Sequence, residues 1–173
     1  MNFCKSVLSA FVLTVLAFGG LALWPTPTAA STSYSDALSG FEYAFTSTEG
    51  RFAGSAKGNL PGFWNVDVFH TPLTTNATIT NGTFKLWTSI GGASKLVVGS
   101  FANGGSITQT TGFSGCVNQD YAINGTLVSV GLDGSTLSGS GSYSAVLTHY
   151  RATIFGACRT YFASIKGNVG LIF

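Results

Sequence analysis

The sequence predicts an all-β chain: one antiparallel meander closing into a β-barrel, with a β-sandwich as the alternative. Three observations lead there. Beyond residue 30, apolar residues recur with the period of 2 that belongs to strands, and helical spacing is missing. Turn signals built on Gly, Asn and Asp punctuate the chain at the short intervals of small all-β domains. No helical segment of crossover length separates the strands, so successive strands run antiparallel. Closure is preferred because the Ser- and Thr-rich strands of a sandwich would leave sheet edges to protect.

The first thirty residues form a separate unit. Lys5 precedes an apolar run from Val7 to Trp24, followed by Pro25, Pro27 and the small residues Thr28-Ala29-Ala30. This is the layout of a helical secretory signal peptide, residues 1–30, with cleavage after Ala30. The competing reading is an uncleaved anchor, which would be the chain's only membrane contact. Residues 31–40 are expected to be a flexible leader, and residues 41–173 a single barrel domain.

Within that domain "FEYAFTS" puts Phe41, Tyr43 and Phe45 on one face. "KGNLPGF" at 57–63 reads as a loop with its turn at Pro61-Gly62. "FWNVDVFH" sets Trp64, Val66 and Val68 against Asn65 and Asp67, and "TFKLWTS" sets Phe84 and Leu86 against Lys85 and Trp87. Candidate turns are "TNGT" at 80–83, "ANGG" at 102–105, "NGT" at 124–126 and "LDGS" at 132–135, since Asn-Gly and Asp-Gly accept positive φ; one of them is open to being a bulge. From Leu137 to Leu147 the odd positions are apolar or Gly, while Ser138, Ser140, Ser142 and Ser144 take the even ones.

Composition excludes several classes of function. Eight Lys and Arg against six Asp and Glu leave no basic patch or acidic tail, so nucleic-acid binding has no support. Fourteen Phe, six Tyr and three Trp argue against disorder. Cys4 leaves with the signal, and Cys116 and Cys158 remain as an even pair in an exported chain. They are expected to form a disulfide closing a loop of about 43 residues, worth roughly 4 kcal/mol by chain entropy. No metal-ligand spacing, phosphate loop, nucleophile elbow or zinc-protease motif occurs, so no metal and no cofactor is expected.

The candidate site lies in "LTHYRATIFGACRTYF", residues 147–162. Continuing the alternation puts His149 and Arg151 on the inward face. The same count puts His70 inward after Val68, and Tyr161 inward with Ala163 and Ile165. A barrel that gathers these four at one end offers donors and acceptors to a small anionic or polar ligand, a carbohydrate among them. The plainer alternative is a hydrogen-bonded rim, or an ion pair with Glu42, Glu49 or Asp120. A bulge near Thr148 would turn His149 outward. Arg151, if buried, needs an acidic or carbonyl partner.

Three classes of function follow. The leading one is an exported, non-catalytic barrel that binds a small molecule or surface partner at one end. The second is a small secreted hydrolase or isomerase using His149 as acid or base and Arg151 to hold an anion. The third is a structural envelope or matrix protein. Trp87, on a polar face, is a potential sugar-stacking residue. Sequons at Asn76, Asn81 and Asn124 are glycan sites if the host glycosylates its exports.

Overall fold

The computed structural model describes residues 31–134 and 138–173. Residues 1–30, the expected signal peptide, and residues 135–137 lie outside the described residues. The strands are β1 (Ser33–Phe45), β2 (Glu49–Gly58), β3 (Gly62–His70), β4 (Asn76–Ile90), β5 (Ala93–Phe101), β6 (Gly105–Gln109), β7 (Gln119–Leu132), β8 (Gly139–Ile154) and β9 (Ala157–Ile172). Each pairs antiparallel with its neighbours, and β1 pairs with both β2 and β9, so the sheet closes on itself.

Nine strands make eight staves. β5 pairs with Thr83–Ile90 of β4, and β6 pairs with Asn76–Ile79 of the same strand. Both also pair with β7. They are one stave kinked at 102–104, where Gly104 has φ 103°. The "ANGG" signal is therefore a kink and not a hairpin. "TNGT" at 80–83 and "NGT" at 124–126 lie inside β4 and β7; opposite the first, the register slips by one residue between Phe69 and His70. Gly91 and Gly92, at φ 59° and 81°, make the β4–β5 turn. Phe155 and Gly156, at φ 51° and 75°, make the β8–β9 turn.

Alternation sorts the side chains. Trp64, Val66, Phe84, Leu86, Val97, Leu127, Ile165 and Leu171 are buried inside. Lys85, Ser140, Ser142 and Ser144 are exposed outside. Trp64 crosses the interior above Gly40 and Gly54 of the two adjacent strands. A Cβ on Gly40 would lie 2.8 Å from the Trp64 ring, so this packing requires glycine there. The indole N–H donates to the Ser55 carbonyl at 3.0 Å.

The expected flexible leader, 31–40, is corrected by the structure. Ser33–Gly40 is the first half of β1, paired on both sides from Asp36 to Phe41. The physical reason is what β1 turns inward: Asp36, Leu38, Gly40 and Glu42, a face with one large apolar residue. Phe41 and Tyr43 of the same strand point out and are exposed.

Asp36 is buried, and its Oδ1 accepts the Leu60 backbone N–H at 2.7 Å, fixing the β2–β3 connection across that barrel end. Its Oδ2 is buried without a hydrogen-bond partner among the described residues. Desolvation raises the carboxyl pKa above its ordinary 3.8, against the opposing effect of the Leu60 bond. Above that ordinary value the unfolded chain releases a proton that the folded chain holds, so this residue's contribution to stability falls as pH rises. Asp36→Asn keeps an acceptor and removes the ionisation. In melts from pH 3 to pH 7 its Tm relative to the native chain is expected to shift steadily in its favour; a pH-independent difference contradicts the account.

Candidate functional site

β1, β3, β6 and β8 finish at one end of the barrel, where β2, β4, β7 and β9 begin. The long alternation of β8 runs unbroken to this end and buries His149 on the inward face. Its Nε2 lies 2.9 Å from Glu42 Oε2, with the two side chains 10% and 4% exposed. The hydrogen they share makes this a side-chain hydrogen bond between β1 and β8. The ring packs against Phe45 and Tyr121 at centroid distances of 5.8 and 5.2 Å. Burial raises the Tyr121 phenol pKa, and the Arg151 charge works the other way. The Tyr121 hydroxyl donates to Gln119 Oε1 at 3.2 Å.

His70 is also inward and buried. Its Nδ1 lies 2.7 Å from the Thr71 carbonyl. A carbonyl only accepts, so Nδ1 carries the hydrogen and, in the neutral ring, Nε2 is the acceptor. His70, His149, Glu42 and Glu49 border one cavity with Phe45 and Leu147, and its volume is about 40 Å3. Such a space takes about two or three waters. Below it Val68, Phe52, Ile107 and Ile123 fill the barrel. Glu49 is held by Arg51 at 2.7 Å.

Arg151 is half-buried, two residues beyond His149 toward the end of β8. Its backbone N–H donates to Asn118 Oδ1 at 3.2 Å. The expected acidic or carbonyl partner is not found: its guanidinium forms no hydrogen bond or ion pair with the described residues. Partial exposure explains this, because water can solvate the charge. Tyr161 is corrected outright. The β8–β9 register slips between Tyr150 and Arg151, opposite Phe162 and Thr160, leaving Tyr161 as the extra residue. A bulge reverses the inward count, and Tyr161 is 62% exposed. Two of the four expected residues thus share a cavity, Arg151 does not border it, and Tyr161 is outside. Among the described residues no group of three His, Cys, Asp or Glu side chains is placed to hold a metal ion.

The rim above the cavity is braced. Cys116 and Cys158 are disulfide-bonded with Cα atoms 5.5 Å apart, tying the 110–118 connection to the β8–β9 hairpin. Asp120 fastens the same connection: Thr111 Oγ1 donates to its Oδ2 at 2.9 Å and Thr148 Oγ1 to its Oδ1 at 2.7 Å. On these tied segments Phe113, Val117 and Phe155 are exposed, Phe155 completely. The sequence reading passed over all three. The available signal was Phe-Gly between two alternating runs, but Phe is not a residue that announces a turn.

Family models, curated proteins and solved structures were compared with the chain, and none matches.

The Glu42–His149 pair is buried at the edge of the core. Removing one partner strands the other, which costs about 3 kcal/mol or more. His149→Leu is expected to lower stability by about that amount. The double variant Glu42→Leu, His149→Leu should recover most of the loss, because apolar replacement of a whole buried pair is often close to neutral. Equal destabilisation by single and double variants in urea unfolding contradicts this.

Proposed function

We propose that this protein is an exported, non-catalytic β-barrel that binds a surface partner through its disulfide-braced end. The observation that carries the reading is Phe155. A bulky L-residue in the left-handed region costs about 1–2 kcal/mol, and this one leaves its whole ring in water. The barrel gains nothing from it. Asn or Asp at that position would make the same turn at lower cost. A rigid, exposed aromatic at a hairpin tip instead suits a partner's pocket, since it adds contact area with little entropy left to lose.

Phe113 and Val117 flank the tip on the segment that Cys116 ties to it, and Arg151 and Arg159 add cationic donors. The disulfide supports placement outside the reducing cytoplasm. The filled interior favours a partner on the rim over a metabolite inside. The hydrolase or isomerase reading draws on the Glu42 carboxylate at 2.9 Å from His149, yet the adjoining cavity has room only for a few waters.

Phe155→Asn separates fold from function. It should raise Tm by about 3 °C, the shift that about 1 kcal/mol gives in a domain of this size. Binding of the labelled mature protein to the host's cell surface and secreted matrix should fall at least tenfold. Unchanged binding by Phe155→Asn and by Phe113→Ser would overturn the proposal.

A further inference from the structure

The outer wall formed by β9, β1, β2, β3 and β4 carries a second feature, away from the rim. Gly40 and Gly54 leave the wall thin beneath Trp64, and Ser39, Ser55 and Ala53 are the small residues around them. Phe63 and Trp87 stand directly opposite each other in the β3–β4 register and border one side. Phe41 and Phe162 border the other. All four aromatics are exposed. Between them lies an open groove of about 590 Å3, within the range of small-ligand sites. The four strand spacings from β4 to β9 amount to about 19 Å.

The lining selects the ligand. It is Ser39, Gly40, Phe41, Ala53 and their neighbours across the wall, and none of the lining residues is charged. An anionic ligand would find counter-charge only beyond the lining, at Lys166 and Lys85, which stand opposite Ser39 and Asn65 in the register, so the groove itself suits a neutral occupant. A peptide that adds as a strand would need a free edge, and these strands are paired on both sides. The lining is mostly apolar, and Ser39, Ser55 and Asn65 are the polar groups that a purely apolar occupant would desolvate. Ser39 and Ser55 share one hydrogen bond at 3.2 Å, which uses one hydroxyl hydrogen and leaves the other free to donate. Asn65 donates both Nδ2 hydrogens, to the Tyr43 hydroxyl at 3.0 Å and the Phe52 carbonyl at 3.1 Å, leaving its Oδ1 to accept.

Aromatic faces on two sides, with neutral donors and acceptors between them, call for a rigid uncharged molecule that has C–H faces and hydroxyl edges. We infer that the groove binds a neutral carbohydrate chain. Pyranose rings lie against Trp87, Phe63, Phe41 and Phe162, and their hydroxyls meet Ser39, Ser55 and Asn65. This inference stands apart from the rim: Phe155 is not in the groove, so either can fail while the other holds.

The test uses the mature chain with its disulfide intact. Probes are laminarin, xylan and galactomannan in affinity electrophoresis, chitin and cellulose in pull-down, and heparin as an anionic control. At least one neutral polysaccharide should retard or retain the protein and shield Trp87 from acrylamide quenching. Phe63→Ala and Trp87→Ala should each weaken this at least tenfold. Ser39→Arg, which keeps every aromatic but puts a long charged side chain on the exposed floor, should do the same if either aromatic variant fails to fold. Val146→Ser, on the outer face of β8 away from both surfaces, should bind as the native chain does. Three results would overturn the inference: no binding to any neutral probe, binding that Ser39→Arg and Trp87→Ala leave intact, or a dimer in sedimentation that these variants dissociate, which would make a second copy the occupant.

Discussion

Trp64 fits inside the barrel because Gly40 lies beneath its ring and Gly54 stands opposite it in the β2–β3 register. A closed eight-stave sheet has a fixed interior, and the largest fully buried side chain in this one is Trp64. Any Cβ at Gly40 or Gly54 would meet backbone or ring within contact distance. That constraint sets the character of β1 and β2: their central positions must be small, so the large apolar residues sit on the facing strands. The same thinness has an outer consequence. Where glycines carry the wall, the surface between Phe63 and Phe41 has little relief of its own, and the flanking aromatics make a groove. Interior packing and outer shape are here two sides of one substitution pattern.

β1 is also where polarity enters the interior. It turns Asp36 inward at one end and Glu42 at the other, and each is answered locally: Asp36 by the Leu60 N–H, Glu42 by His149. Buried polar groups of this kind are costly unless partnered, and each fixes the segment that partners it. Asp36 holds the connection that closes one end. Glu42 ties β1 to β8, which are separated by β9, so it links staves that share no backbone pairing.

Much of this was legible in the sequence, and the failures have physical causes. β8 alternates without interruption, so the inward placement of His149 followed from counting. His70 followed from the pattern of β3. The Cys116–Cys158 bond followed from the two cysteines that remain beyond residue 30. Tyr161 failed because one extra residue in β9 inverts the count, and nothing in "RTYFAS" marks a bulge. β1 failed because hydrophobicity is a poor guide to a strand whose inward face is acidic and glycine-rich while its aromatics face out. The Asn-Gly pairs at 81–82 and 124–125 misled for a related reason. Pairing with β3 holds 81–82 extended and pairing with β8 holds 124–125, and the hairpin formed instead at Phe155-Gly156, where local preference is poor.

That last reversal bears on function. A sequence whose local preferences and global fold agree is expected wherever only folding is under demand, and departures gather at sites with another task. Here two departures lie on different surfaces of one rigid body. Phe155 takes a left-handed turn at a tip that a disulfide holds still. Phe41, Phe63, Trp87 and Phe162 face water on staves that have room for polar side chains, as Ser140, Ser142 and Ser144 show on β8. The filled interior supplies what both surfaces need. A packed, closed barrel positions exposed aromatics with little freedom left, so contact with a partner costs less ordering than it would on loops.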